Sequence, residues 1–401
     1  MVFGTFHIMT HRVLVLDGDQ RAALAATRSL GAKGIDVFVA ESAHASLAGQ
    51  SRYCCGTVSY VDPFDSPRRC FDEILAIIHE LEIQFILPIT EATAYILLRY
   101  QDELPESVKL PFASSEQVEQ VADKSALFRL AEKLGVPIPK SIYCSDQHEG
   151  LAALQNILEY PVVLKPSKSR LLLPEKILST RVVTAYSSSE AQRLLNTEAQ
   201  FNYPFTIQSF IEGHGRGVFA LYDKGQPVCF FAHRRLREKP PGGGVSVLSE
   251  SAPIDEHLKA LSHQLLSHRH WHGVAMVEFR VTSDGDPYLM EINPRFWGSL
   301  QLAIDAGIDF PYWLFCATMG LPFTPDNEPR YTRLRWLLGD LDRLYLVLKA
   351  PARIYSLWQK FREILRFLKP HLKTRHEVNR IGDLGPASFE LKQYLRALFG
   401  R

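Results

Sequence analysis

The sequence predicts an α/β domain first, then an α+β domain, and finally a basic helical extension. Three features lead to this prediction. Short apolar runs alternate with helical segments through residues 12–100, which is typical of βαβ units around a parallel sheet. Two hairpin patterns follow at 217–232 and 274–295, and hairpins join antiparallel strands. After residue 330, basic and apolar side chains interleave with helical spacing.

The composition is that of an ordinary globular protein. The chain has 401 residues, of which 46% are hydrophobic and 22% charged, enough for two or three units with their own cores. Its 45 basic and 44 acidic residues give a net charge of +1, which offers no electrostatic case for a nucleic-acid partner. Six cysteines without C-x-x-C spacing indicate neither a zinc site nor a disulfide framework, so we expect a reduced, cytoplasmic setting. Residues 1–11 lack the apolar core of a signal peptide, and no run is long enough to span a bilayer.

The first predicted domain covers residues 1–112 and contains a small parallel sheet, open at the carboxyl ends of its strands. No G-x-G-x-x-G follows the first strand, so a dinucleotide-binding fingerprint is absent. Asp17 follows the first strand and Glu91 follows a later one, which makes both candidates for contact with a substrate. The ordinary alternative for each is a solvated loop residue or a helix cap.

The second predicted domain covers residues 113–330. A helical pair contains Lys124, and a strand at 160–166 carries Lys165 near its end. A further strand ends in the segment 208–213. The basic, glycine-rich stretch 234–244 reads as a loop, which either folds over an active site or stays a mobile surface loop.

The hairpin at 274–295 carries an unusual pair of charges. If Asp284 and Gly285 form a two-residue turn, Glu278 lies directly opposite Glu291, with Asn293 on the same face. The other face would carry apolar residues, among them Phe279, Met290 and Ile292. Two carboxylates facing each other repel, so a sequence that keeps both favours a hard cation held through oxygen ligands. A half-solvated hairpin with a polar outer face is the alternative, and the hairpin alone leaves both open.

In this order the parts resemble the ATP-grasp superfamily, in its branch similar to carboxylate–amine ligases and the large subunit of carbamoyl-phosphate synthase. The resemblance extends to about residue 325. It is carried by Glu278 with Glu291-Ile292-Asn293-Pro294-Arg295, by Lys124 and Lys165, and by the segment 208–213. It implies a Rossmann-like pre-ATP-grasp domain followed by an ATP-grasp fold, whose mobile lid covers about 144–208.

The resemblance also implies roles for individual residues. The catalytic residues are Arg295, which binds the carboxylate or acyl-phosphate, together with Lys165 and Arg235. The contacts to ATP are made by Lys124, Lys165, Gln208, Phe210, Ile211 and Glu212, and the Mg²⁺ (or Mn²⁺) ligands are Glu278, Glu291 and Asn293. One departure concerns the lid loop 167–174, which is poor in glycine, so that side-chain charge from Lys168 or Arg170 is expected to replace the usual backbone contacts to phosphate.

The activity implied by the resemblance joins two small molecules, a carboxylate and an amine. ATP phosphorylates the carboxylate, the amine attacks the acyl-phosphate, and ADP and phosphate are released. One alternative keeps the fold but transfers phosphate to a hydroxyl. Another is a nucleotide-binding adaptor without catalysis, whose basic tail holds a membrane or a partner. The identity of the acid and the amine, and the oligomeric state, stay open.

The predicted extension, residues 331–401, has fifteen basic and six acidic residues. Within it, 352–373 reads as an amphipathic basic helix. Such a helix either packs its apolar face on the protein's own core or makes a peripheral contact with a membrane or another protein. We expect the first outcome.

Overall fold

The computed structural model describes residues 11–399 except 269, 327, 370 and 372. The predicted absence of a signal peptide therefore concerns a segment that lies outside the described residues, apart from His11. Within the described part of the chain, no helix combines the length and the apolar character that a bilayer-spanning segment needs.

The chain begins with a four-stranded parallel sheet in the order β3-β2-β1-β4. Its strands read as runs of valine, isoleucine and leucine because helices cover both faces of the sheet. The βαβ prediction is confirmed. The elements are β1 (Arg12–Val15), α1 (Arg21–Gly31), β2 (Asp36–Glu41), β3 (Gly56–Ser59), α2 (Pro67–Leu81), β4 (Phe85–Leu87) and α3 (Glu91–Arg99).

Asp17, a candidate for substrate contact, forms hydrogen bonds with the turn that precedes α3 and with α3 itself. Its carboxylate accepts hydrogen bonds from the backbone N–H groups of Ile89 (2.9 Å) and Thr90 (2.7 Å) and from the hydroxyl of Thr93 (2.6 Å). Burial raises the pKa of Asp17, and these donors partly offset that effect. Asp17 thus ties the loop after β1 to the turn that starts α3, where Glu91 is the first helical residue.

A helical pair follows, formed by α4 (Ser115–Ala122) and α5 (Lys124–Leu134). Asp123 caps α5, since its carboxylate accepts from the backbone N–H groups of Ser125 (2.9 Å) and Ala126 (3.0 Å). The cap fixes Lys124 as the first residue of α5.

Residues 141–209, called here the lid unit, form a small antiparallel sheet in the order β5-β10-β6-β9. Two helices cover one face, and their core includes Leu195, Phe201 and Phe205. The other face carries Lys165. The elements are β5 (Ser141–Cys144), α6 (Gln147–Leu154), β6 (Val162–Pro166), β7 (Arg170–Leu172), β8 (Ile177–Ser179), β9 (Val183–Ala185), α7 (Ser188–Thr197) and β10 (Phe205–Ser209).

A seven-stranded sheet in the order β15-β14-β11-β12-β13-β16-β17 forms the main body of the molecule. Phe219 and Phe231 from this sheet share one core with α1 and with Trp297 and Phe310. The elements are β11 (His214–Asp223), β12 (Gln226–Lys239), β13 (Val245–Ser251), α8 (Glu256–Ser267), β14 (Gly273–Val281), β15 (Pro287–Asn293), α9 (Leu300–Asp305), α10 (Phe310–Met319), β16 (Arg333–Arg335), α11 (Leu337–Lys349), α12 (Leu357–Leu368), β17 (Thr374–His376) and α13 (Gly385–Phe399).

The prediction of a loop at 234–244 is largely wrong. Strand β12 continues to Lys239, so Arg235 lies on a strand that pairs with β13, where it faces Ser249. Strand β13 was not among the predicted elements, and it is the hydrogen-bonding partner that extends β12. Only 240–244 remain outside the two strands.

The C-terminal extension contains helices, as expected, namely α11, α12 and α13, together with two strands of three residues each. Strands β16 and β17 complete one edge of the main sheet. The segment is also tied to the N-terminal domain by a buried ion pair between Arg28 and Asp383 (2.7 Å). Arg28 further donates to the carbonyl groups of Glu377 (2.7 Å) and Val378 (2.9 Å).

The expectation that the 352–373 helix packs its apolar face on the protein core is wrong. Within α12, Glu363 is the buried residue, whereas Leu357 and Leu368 are exposed.

Substitution Arg28→Ala is expected to destabilise the fold by about 3–5 kcal/mol, because it leaves the buried carboxylate of Asp383 without its cation. Urea unfolding followed by circular dichroism measures the change. The exposed Arg68–Glu103 pair provides the control, since solvent screens its charges and Glu103→Gln should leave the stability nearly unchanged. Equal effects of the two substitutions would show that the Arg28 contact does not anchor the C-terminal segment.

Candidate active site between the lid unit and the main sheet

The hairpin of β14 and β15 has the predicted opposition of charges but not the predicted turn. Glu278 pairs with Glu291, as expected. Nearer the turn the register shifts by one residue, so that Phe279 pairs with Leu289. The backbone N–H of Thr282 donates to the carbonyl of Asp286 (3.0 Å), which leaves three residues in the loop rather than two. A β-bulge at Met290 takes up the extra residue and restores the pairing of the glutamates.

The bulge changes what Met290 does. Leu289, which is fully buried, takes the core position expected for Met290. The carbonyl of Met290 instead accepts a hydrogen bond from the ammonium group of Lys165. A backbone carbonyl that the bulge displaces from the strand ladder therefore links the main sheet to β6 of the lid unit. The sequence pattern gave no signal for this contact.

Two buried lysines converge on Glu291. The ammonium nitrogen of Lys124 lies 3.5 Å from Oε2 of Glu291 and donates to the hydroxyl of Ser169 (3.1 Å). The ammonium nitrogen of Lys165 lies 5.4 Å from the centre of the Phe128 ring. Burial lowers the pKa of Lys165 to about 8, although the charge of Glu291 opposes this effect. The site thus concentrates positive charge where water is largely excluded.

The two glutamates respond differently to their surroundings. Burial raises the pKa of Glu278, and the facing charge of Glu291 raises it further. Burial also opposes ionisation of Glu291, but the charges of Lys124 and Lys165 outweigh it and lower the pKa of that carboxyl. Asn293 bridges the pair, because its Nδ2 donates to Oε1 of Glu278 (3.2 Å) and of Glu291 (2.9 Å).

Arg295 lies beside this pair and is held on three sides. It donates through Nε to the carboxylate of Glu91 (3.3 Å), through Nη1 to the carbonyl of Phe296 (3.0 Å), and through Nη2 to Oδ1 of Asn293 (3.3 Å). Glu91, a sequence candidate for substrate contact, therefore reaches the site through Arg295. The arrangement fixes the guanidinium group next to the carboxylates.

Strand β11 has two glycines beside the glutamates. Gly217 pairs with Glu278, and Gly215 lies two residues earlier in β11, where it pairs with Arg280. A Cβ atom on Gly215 would lie 2.9 Å from Nη2 of Arg235, so glycine makes room for that guanidinium. Arg235 forms an ion pair with Glu238 (3.1 Å), and its charge also acts on Glu278.

His233 precedes Arg235 on this face of β12. Its ring centre lies 4.7 Å from that of Phe219, and its Nδ1 lies 3.3 Å from the hydroxyl of Ser299. Burial lowers the pKa of His233 to about 3, and the neighbouring charge of Arg235 contributes. His233 is therefore a neutral, packed side chain at neutral pH.

The segment 208–213 connects the lid unit to β11. Gln208 is buried and donates through its side chain to the hydroxyl of Ser141 (2.9 Å), so its amide is already engaged. Within the described part of the chain, no hydrogen bond engages the backbone N–H or C=O groups of residues 210–212. Phe210 is 41% exposed, and Glu212 is exposed beside it. The segment thus offers backbone donors and acceptors next to an aromatic ring and the apolar side chain of Ile211.

The basic residues of the lid loop point away from the glutamates. Lys168 forms an ion pair with Glu119 of α4, and the guanidinium of Arg170 lies 5.6 Å from the centre of the Phe64 ring. Neither side chain contacts Glu278 or Glu291. Ser169, which sequence reasoning did not single out, is the loop residue that contacts Lys124.

The donor set fits magnesium. The described residues include no group of three or more histidine, cysteine, aspartate and glutamate side chains placed to hold a metal ion. Glu278, Glu291 and Asn293 nevertheless offer carboxylate and amide oxygens, and Mg²⁺ often takes only one or two carboxylates together with phosphate and water. The amide nitrogen of Asn293 now faces both carboxylates, and rotation of that amide would bring its oxygen to the same position.

Comparison with known proteins identifies relatives of part of the chain. A family model described as "ATP-grasp in the biosynthetic pathway with Ter operon" matches residues 189–337. The carbamoyl phosphate synthase large chain of Pyrococcus furiosus is 25% identical over 195 residues, which cover 47% of this chain. The match spans 17% of the length of that relative.

Solved structures resemble the chain over most of its length. Biotin carboxylase from Campylobacter jejuni, in a βγ-ATP complex, gives a TM-score of 0.62 at 15% identity and covers 80% of this chain and 74% of that one. L-amino acid ligase from Bacillus licheniformis gives 0.59 at 16% identity, covering 79% and 75%. An ADP complex of N5-carboxyaminoimidazole ribonucleotide synthetase gives 0.61 at 17% identity, covering 91% and 90%. At these identities the likeness establishes the fold.

Substitution His233→Gln is expected to make the protein less sensitive to acid. Burial holds the pKa of His233 near 3, whereas an unfolded histidine titrates near 6.5, so the unfolded chain takes up a proton first. The wild-type protein should therefore lose stability relative to the variant as the pH falls from 6.5 towards 3. Tm measured across this range tests the prediction, with His257→Gln, an exposed position near the start of α8, as the control. A Tm difference between wild type and His233→Gln that does not change with pH would contradict it.

Proposed function

We propose that the chain is a member of the ATP-grasp superfamily that uses ATP and Mg²⁺ to activate a carboxylate and join it to an amine. The observation that carries this proposal is the convergence of Lys124 and Lys165 on Glu291, which lies opposite Glu278. Buried cations beside paired carboxylates suit a triphosphate bound together with a divalent cation. The proposed substrates are small molecules.

The proposed nucleotide site combines the segment 208–213 with Lys124 and Lys165. The backbone groups of residues 210–212, for which the described residues provide no hydrogen-bonding partner, are suited to hydrogen bonds with adenine. Phe210 and Ile211 of the same segment offer apolar side chains to the adenine ring. Lys124 and Lys165 would hold the phosphates. Among the solved relatives, a 2-oxoglutarate carboxylase domain from Hydrogenobacter thermophilus is described with MgADP and bicarbonate.

The proposed metal ligands are Glu278, Glu291 and Asn293. Magnesium bound there would neutralise charge on the phosphoryl group as it is transferred. A bound cation would also offset the burial and the repulsion from Glu291 that raise the pKa of Glu278.

The reaction would proceed in two steps. An oxygen of the substrate carboxylate attacks the γ-phosphorus, and the bond to ADP breaks, which gives an acyl-phosphate. The amine nitrogen then attacks the acyl carbon, phosphate leaves, and the nitrogen loses a proton. Arg295 would orient the carboxylate, and its hydrogen bond to Glu91 supports this role. The lid unit, which contacts the main sheet through Lys165 and Met290, would shield the acyl-phosphate from water.

Trapping with hydroxylamine tests this proposal. With ATP, Mg²⁺ and the correct carboxylate, the protein should release ADP and form a hydroxamate, because hydroxylamine intercepts an acyl-phosphate but not a phosphate ester. A panel of amino acids and small carboxylates, alone and in pairs, supplies the substrates. Lys165→Met should slow ADP release by about 10²-fold, since it removes a buried cation from the phosphates.

The matched control is Lys133→Met, which removes an exposed lysine from α5, the helix that Lys124 begins. This variant should keep full activity. ADP release without any hydroxamate would favour transfer of phosphate to a hydroxyl. ATP binding without ADP release across the whole panel would favour an adaptor that lacks catalysis.

A further inference from the structure

Polar contacts hold α12 against the protein. The buried carboxylate of Glu363 accepts hydrogen bonds from Arg343 of α11 (2.8 Å) and from Arg366 (2.6 Å). The ammonium group of Lys360 donates to the carbonyl oxygens of Leu348 (2.8 Å) and Ala350 (2.6 Å). These contacts select which face of α12 turns inward.

The opposite face of α12 is apolar and exposed. Leu357, Phe361, Leu365 and Leu368 recur with helical spacing and form one stripe along the helix. Their exposed fractions run from 47% for Phe361 to 82% for Leu357. Trp358 stacks beside Phe361, with ring centres 5.7 Å apart. Single exposed apolar residues are common on protein surfaces, but a continuous stripe of this kind indicates a binding surface.

The charges around this stripe have one sign. Between residues 343 and 376, Glu363 is the only acidic residue in the sequence, and it is buried. Among the described residues, Arg353, Arg362 and Lys369 have no ion-pair partner. The exposed surface of α12 and its flanks therefore combines aromatic and aliphatic side chains with unpaired positive charge.

We propose that this surface, the α12 stripe, binds the surface of an anionic lipid bilayer, with the helix lying in the plane of the interface. Leucine, tryptophan and phenylalanine side chains on one face enter the boundary between headgroups and acyl chains, while lysine and arginine bind anionic headgroups. A second copy of this chain is a poor occupant, because two stripes packed together would bring their positive flanks into contact. The contact is peripheral and does not depend on the proposed catalytic reaction.

Co-sedimentation with vesicles tests the proposal on the full-length protein. The protein should bind vesicles of phosphatidylcholine mixed with phosphatidylglycerol at least tenfold more tightly than vesicles of phosphatidylcholine alone, and added salt should weaken binding. The double substitution Phe361→Glu with Leu365→Glu should reduce binding at least tenfold. Both positions are about half exposed, so the fold should survive, and circular dichroism and Tm check this.

The matched control is Leu158→Glu, which changes a leucine of the lid unit that is 93% exposed. It should bind anionic vesicles like the wild type. A separate double substitution, Arg362→Glu with Lys369→Glu, should abolish the preference for anionic lipid.

Three results would overturn the proposal. The first is equal sedimentation with neutral and anionic vesicles. The second is an equal loss of binding in the Leu158 control. The third is that the wild-type protein is a dimer and that the Phe361 and Leu365 substitutions dissociate it. The α12 stripe would then serve self-association.

Discussion

Glu278 and Glu291 face each other across one pair of strands, and the structure around them compensates for their repulsion. Lys124 enters from the start of α5 and Lys165 from the lid unit, so three separate elements meet at one charged centre. Since Lys124 and Lys165 are buried, removing Glu291 would leave both ammonium groups without the carboxylate that compensates them. The same interaction therefore holds the lid unit against the main sheet and creates the environment that a nucleotide phosphate and a metal ion would require.

The opposition of the two glutamates was predicted from the sequence, although the turn used to derive it was wrong. The loop has three residues rather than two, and the bulge at Met290 cancels the error. Alternation of apolar and polar residues cannot locate a bulge, because a bulge is a property of backbone pairing and not of side-chain type. For this reason the alternating pattern predicts Met290 in the core and does not predict the contact of its carbonyl with Lys165.

Residues with distinctive chemistry were easier to predict than the elements that position them. The two glutamates and two lysines stand out by type and order, and the structure brings them together. The length of β12 depends on pairing with β13, a partner that local propensity does not reveal, so Arg235 was assigned to a loop. The pattern of α12 shows that the helix is amphipathic, but the buried contact between Glu363 and Arg343 decides which face turns outward.

The most direct test of the proposed cation site measures how much Mg²⁺ strengthens ATP binding, by titration calorimetry with and without the metal. For the wild-type protein, Mg²⁺ should strengthen binding at least tenfold. In Glu278→Gln and in Glu291→Gln this gain should disappear while the fold is retained, and Glu256→Gln, an exposed position, should behave as the wild type. The same gain in all four proteins would contradict the account, because the facing carboxylates would then not hold the metal.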